Sequence, residues 1–178
     1  IRLSLVGSEM CIRDRIMTDH ESASFNEAIE KLKLGLSILV REGSAAKNLE
    51  DIIRGVVDNS IDTNNMAFCT DDKHLSDVCK EGTIRCNIKK AIALGLSPIS
   101  AYKMATINAA KIYGLKHIGA VAPSYKADLV ILDDMENVSI TEVYKGGIPF
   151  ERLNFEQKLS CSESVSYTHL TLPTTPYV

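Results

Sequence analysis

Three short polar strings hold the residue types that do chemistry: Thr18-Asp19-His20-Glu21-Ser22, Arg41-Glu42-Gly43-Ser44 and Thr70-Asp71-Asp72-Lys73-His74. In the third, the apolar run Met66-Ala67-Phe68-Cys69 leads straight into two adjacent aspartates. Like charges side by side repel, and a carboxylate beside a core loses hydration unless a cation or hydrogen-bond donors compensate. Such a pair at a strand end suits a metal ligand plus a second acceptor for a substrate's donors. It suits equally well a helix N-cap with a companion acid. His20, between Asp19 and Glu21, can offer a neutral imidazole to a divalent cation while another group orients its second nitrogen. The alternative is a solvated histidine ahead of a helix, where acids are common. Arg41, Glu42 and Ser44 offer a cation, an acceptor and a hydroxyl around a flexible glycine, or simply a loop with an N-cap.

The remaining candidates read as structural. His74 lies at the start of a helix and reads as surface, and His117 sits in a linker. Cys69 reads as packing, because no histidine stands near enough in sequence to activate it. Five cysteines, an odd number with no C-x-x-C, point to reduced thiols in a cytoplasmic protein. There is no G-x-x-x-x-G-K, G-x-G-x-x-G or G-x-S-x-G, so nucleotide-cradling and serine-hydrolase chemistry have no footing. The 178 residues are 45% hydrophobic with a net charge of −3, an ordinary globular composition that gives no reason to expect nucleic acid or an anionic membrane as partner. No apolar run reaches the roughly 18 residues of a membrane span.

The elements that must position these strings follow from periodicity. Ser24-Phe25-Asn26-Glu27 fits a capping box and predicts a helix ended by Gly35. Leu36–Val40 has strand character, and a second helix is expected from Ala45 to about Val57, with Leu49, Ile52, Ile53 and Val56 on one face. Met66–Thr70 is the next strand. Helices are expected over Ile84–Leu94, from Ser97-Pro98 onward, and around Asn108–Gly114. After that the texture turns β-rich: 119–123, 127–133 and 140–144, with a hairpin signal at Gly146-Gly147. Repeated strand–helix alternation argues for an α/β parallel sheet or barrel, and in a (β/α)8 barrel chemistry sits where strands end. All three polar strings occupy such positions.

The two ends differ from the middle. Residues 2–15 have no periodicity and lack the features of a signal peptide, and residues 164–178 form a Thr/Pro/Ser/Tyr tail without amphipathic pattern. Both resemble translated adapter sequence. The expected organisation is therefore a non-native segment 1–15, an α/β unit over 16–117, a small β-rich unit over 118–160, and a non-native tail 161–178.

The strings TDHES, LVREGSAAKNL (39–49), FCTDDKH (68–74), KKAIALGLSPISAYKMATINAAKIYGL (89–115) and GAVAPSYKADLVILDD (119–134) together resemble the bacterial adenine deaminases of the amidohydrolase superfamily. The resemblance implies an α/β fold: the C-terminal portion of a (β/α)8 barrel, strands six to eight, over 16–117, leading into part of a small β-rich domain over 118–160. It implies hydrolytic deamination of adenine to hypoxanthine and ammonia by a metal-activated water, in purine salvage. His20 and Asp71 would bind the metal (manganese, iron or zinc), and Asp71 would shuttle the proton. Asp72 would read the purine, with Arg41, Glu42 and Ser44 lining the pocket. The parent enzyme would be a cytoplasmic homo-oligomer acting on the small molecule adenine, with no nucleic-acid or membrane partner. The family's H-x-H is absent, and a full barrel needs about 250 residues, so the expectation is a fragment that is inactive alone. Ser124 stands where that family usually has glycine, which puts the local turn in question.

Two other readings compete. One is a different amidohydrolase, similar to dihydroorotases, hydantoinases or cytosine deaminases; the REGSAAKNL string argues against it. The other is a non-catalytic receiver-like signalling module, suggested by Asp128-Leu129-Val130-Ile131-Leu132-Asp133 as a phosphoacceptor strand. Its acceptor stands about sixty residues after the acidic pair, with helices between.

Overall fold

The computed structural model describes residues 17–153. The segments 1–15 and 161–178, with Cys11, Cys161 and His169, lie outside the described residues. The capping box forms as expected: Ser24 Oγ accepts the Glu27 amide at 3.4 Å, and Glu27 reaches back to the Ala23 amide at 3.0 Å. This starts α1 (Phe25–Lys33), just after the short strand β1 (Thr18–Asp19). Then follow β2 (Ser37–Arg41), α2 (Leu49–Asp58), β3 (Met66–Cys69), α3 (Leu75–Glu81), α4 (Ile84–Ala93), α5 (Pro98–Ala105) and α6 (Ile107–Ile112). The three strands form a parallel sheet in chain order, with Thr18 opposite Ser37 and Ile38–Arg41 opposite Met66–Cys69. Parallel neighbours require crossover connections, and α1 and α2 supply them.

α2 begins at Leu49, four residues later than the pattern of apolar positions suggests. The intervening residues close a loop instead. The Gly43 amide donates to the Ala46 carbonyl at 3.0 Å, the Asn48 amide to the Arg41 carbonyl at 3.2 Å, and Glu42 bridges Lys47. Helix dihedrals cannot start until that loop is closed.

The core lies on one face of the sheet. Ile38, Val40, Met66 and Phe68 pack with Leu49, Ile52, Ile53 and Val56 of α2, Ile88 and Ala91 of α4, and Ala101 and Met104 of α5. Leu39 and Ala67 are also buried, on the other face and outside that cluster. Strands covered on both faces are the rule in parallel sheets. Two buried asparagines hold the ends of β3. Asn108 donates to the carbonyls of Thr63 (2.8 Å) and Met66 (3.1 Å), and Asn87 donates to that of Cys69 (2.9 Å).

The β-rich segment is an antiparallel sheet of β4 (Leu129–Asp134), β5 (Ser139–Lys145) and β6 (Ile148–Pro149). Gly146 and Gly147, at φ +59° and +80°, make the two-residue hairpin turn. The 119–123 stretch, expected as β-rich, contains no strand. Ser124 keeps its turn at φ +66°, a conformation that costs a non-glycine residue about 1–2 kcal/mol. The receiver-like reading fails here: Leu129–Asp134 pairs antiparallel in a meander, whereas a receiver's acceptor strand belongs to a doubly wound parallel sheet. Buried Val138 joins the core, and its carbonyl accepts Arg85 Nε at 3.1 Å, tying this sheet to α4.

Gly55, in the middle of α2, gives a test of the packing. Alanine there gains about 1 kcal/mol in helix propensity, but its Cβ would overlap Cβ and the ring of Phe25 on α1. These are rigid atoms at the base of a half-buried side chain, and such overpacking costs about 1–3 kcal/mol. Packing wins, so Gly55→Ala is expected to lower the urea midpoint with an unchanged m-value.

Candidate functional site

β1, β2 and β3 end side by side, and in α/β sheets this carboxyl edge is where ligands bind. Which side chains meet there is decided by the period-two alternation of β2. Arg41 shares its face with Leu39, away from the core cluster. Glu42 shares the parity of Val40 and turns toward α4. It is 5% exposed, and its Oε1 lies 3.0 Å from Lys90 Nζ and 3.9 Å from Lys47 Nζ. Glu42 was expected to line the same pocket as Arg41; adjacent strand residues face opposite ways, and it does not. Its Oε2 is buried with no partner among the described residues.

Arg41 Nη1 donates to Asp71 Oδ2 and to Glu21 Oε2, both at 3.0 Å. Glu21 Oε1 in turn lies 3.2 Å from His20 Nε2. Residues from all three strand ends thus form one chain: His20, Glu21, Arg41, Asp71. Glu21 is the member that sequence reasoning passed over, although it stood beside His20. Asp71 has φ +48°, the left-handed region in which aspartate is among the more tolerant residues but is still strained.

Asp72 points elsewhere. Its carboxylate accepts the amides of Ser44 and Ala45 at 3.1 Å, and of Ala46 at 3.3 Å to each oxygen. Gly43 makes this approach possible, since a Cβ there would collide with Asp72 Oδ1. Lost hydration works to raise the Asp72 carboxyl, but the amides of Ala45, Ala46 and Ser44 outweigh it and hold it below the ordinary 3.8. Ser44 Oγ accepts the His74 amide at 2.8 Å and donates to Asp77 Oδ2. Asp72 and Ser44, expected to contact substrate, therefore bind each other's loops.

Burial, and then the charge of Asp71, push the Cys69 thiol up to about 11, so it stays protonated and packs. His74 is the exposed N-cap of α3, and His117 stacks edge-on against Tyr125 with centroids 5.9 Å apart. An imidazole and a carboxylate on neighbouring strand ends are suitable donors for a divalent cation, but a metal centre takes three or more protein ligands. Among the described residues no group of three or more His, Cys, Asp or Glu is placed to hold one. By themselves these residues do not fit a metal centre. No helix among them is long and apolar enough to cross a membrane.

The chain is similar to known proteins in sequence and in fold. An adenine deaminase of Desulfitobacterium hafniense is 50% identical over 156 residues, covering 86% of this chain and 27% of that protein. One of Desulforamulus reducens is 49% identical over 130 residues, covering 72% and 22%. The chain thus spans about a quarter of the length of these curated relatives. Among solved structures, a beta-aspartyl dipeptidase of Fervidobacterium islandicum superposes with a TM-score of 0.67 at 22% identity, over 87% of this chain and 46% of that one. An enamidase of the amidohydrolase superfamily superposes at 0.61 and 18%, over 80% and 42%. At such identities these two show the fold alone. The pattern of the amidohydrolase family runs over residues 8–149, through the parallel sheet and into the antiparallel one, and the chain belongs to that family.

Proposed function

We propose that this chain is part of a longer hydrolytic adenine deaminase, converting adenine and water to hypoxanthine and ammonia. The observation that carries the reading is the half-identity to adenine deaminases across most of the chain. In this reading β1, β2 and β3 are the sixth, seventh and eighth strands of a (β/α)8 barrel of 16–117, and 118–160 is part of a small β domain. The parent is a cytoplasmic homo-oligomer.

Deamination requires a water to lose a proton as it adds to C6, and the departing nitrogen to gain one. Asp71 is placed to carry that proton: its carboxylate is at a strand end, with the Arg41 guanidinium as counter-charge on one oxygen. Arg41 orients Asp71 through Nη1 and is proposed to line the pocket; its Nε–H is buried, with no acceptor among the described residues. His20 and Asp71 are proposed as two ligands of a divalent cation (manganese, iron or zinc), whose remaining ligands would come from the rest of the longer protein. Such a cation would supply activation of the attacking water. Glu42, Ser44 and Asp72 act from behind the pocket: Glu42 anchors β2 to α4, while Ser44 and Asp72 latch the two loops together.

Two measurements test this. In the full-length enzyme, Asp71→Asn is expected to lower kcat for adenine by about 10²–10⁴-fold, with a much smaller change in KM. The 178-residue chain alone is expected to release no ammonia from adenine. Preferential turnover of a cyclic amide or of cytosine by the full-length enzyme would favour the competing amidohydrolase reading instead.

The latch has its own pH dependence. A carboxylate held below its unfolded value stabilises the fold fully above that value and loses this contribution as pH falls through the folded one. Amide-exchange protection of Ser44, Ala45 and Ala46, normalised for intrinsic rates, should therefore be constant near neutrality and decline below about pH 3.8. In Asp72→Ala it should be absent at every pH.

A further inference from the structure

We infer that Asn48 is a positioning residue that joins the His20 strand end to the Arg41 strand end; its catalytic meaning rests on the deaminase reading above. Asn48 occupies the N-cap of α2, where an asparagine side chain ordinarily accepts an amide from its own helix. Here it makes no such bond. It is 3% exposed and faces the sheet instead. Its Oδ1 accepts the Arg41 amide at 2.8 Å, while its own backbone amide donates to the Arg41 carbonyl at 3.2 Å. Both main-chain groups of Arg41 are thereby held by one residue.

The other half of the carboxamide works on β1. Nδ2 donates to the Ser22 carbonyl at 2.7 Å and lies 3.5 Å from that of His20. Ser22 is fully buried, and its amide (3.1 Å) and hydroxyl (2.7 Å) both donate to Asp19 Oδ2. The turn carrying His20 and Glu21 is therefore closed by Asp19 on one side and held by Asn48 on the other. Regular pairing of β1 with β2 is limited to Thr18–Ser37 and Asp19–Ile38. Beyond it, the Asn48 side chain spans the widening gap, with a donor for one strand and an acceptor for the other. A carboxamide has both. The side chains of Arg41 and Glu21, which meet at 3.0 Å, are thus set from behind by the same group. A helix cap is given up for a link between two strand ends, a local rule broken at the place where chemistry is expected.

The test is residue-resolved amide exchange on the full-length enzyme, wild type against Asn48→Asp and Asn48→Leu. The carboxylate of Asn48→Asp keeps the acceptor and loses the donor. Protection of the Arg41 amide should then stay near wild type, while that of the Ser22 amide, which donates to Asp19 in the turn that Asn48 holds by its Ser22 carbonyl, falls roughly tenfold as the turn loosens. Asn48→Leu should lose both, with the amides of Ile53 and Ile88 in the core unchanged. Loss of protection spread equally over the core would show Asn48 to be a general stabiliser, and no loss at Ser22 or Arg41 would remove the link; either outcome overturns the inference. In the full-length enzyme, Asn48→Asp should lower kcat for adenine while KM and metal content stay near wild type. An unchanged kcat refutes the positioning role. If the unsubstituted full-length enzyme does not turn adenine over, the deaminase reading fails, while the exchange result still decides the link.

Discussion

Everything at the site depends on the two-residue alternation of β2 and β3. Ile38, Val40, Met66 and Phe68 must enter the helix-covered core, because at about 25 cal/mol per Å2 their burial outweighs any local preference of the polar residues that follow. That requirement fixes the parity of Arg41 and Glu42 before either makes a contact. Arg41 is delivered to the face shared with Asp71 and Glu21, and Glu42 to the face shared with Lys90. A shift of register by one residue would exchange the two and bury every polar side chain of β2.

The adjacent aspartates, an electrostatic puzzle in the sequence, are compensated separately. Asp71 has a side-chain cation, the Arg41 guanidinium, whereas Asp72 has the dipoles of three successive backbone amides. Because the two carboxylates diverge into different loops, their repulsion is not concentrated in one pocket. Divergence requires a turn between them, and the left-handed φ of Asp71 provides it.

How much of this was legible follows from the range of the interactions. The α1 cap, the Gly146-Gly147 turn and the strand–helix alternation rest on contacts a few residues apart, and they read directly from the sequence. The late start of α2 did not, because the loop before it is held by Asp72, twenty-six to twenty-eight residues away. The partners of Ser44 and Asp72 were not legible for the same reason: exposed-looking polar residues near a site have partners that only the tertiary fold supplies. Glu42 is a different case. Its alternation with Arg41 was present in the sequence, but the two residues were read as one polar string rather than as two faces. Glu21 was equally visible and was treated only as a neighbour of His20.

The loop carrying Asp71 shows why such distant partners belong to the site. Behind it, Asn87 holds the Cys69 carbonyl at the end of β3. Beside it, Arg41 grips the Asp71 side chain and is itself held by Asn48. Beyond it, Asp72 is anchored in the amides of the neighbouring loop, and Ser44 returns the contact through the His74 amide. A residue in a sparsely populated backbone region costs about 1–3 kcal/mol and persists only where its surroundings over-determine it. Four restraints on residues 69–74 do so here. A carboxylate held this way needs little reorganisation when charge develops beside it, and preorganised groups of that kind make the largest contributions to catalysis. The buried amides and the latch are therefore the means by which a three-stranded sheet fixes one side chain in place.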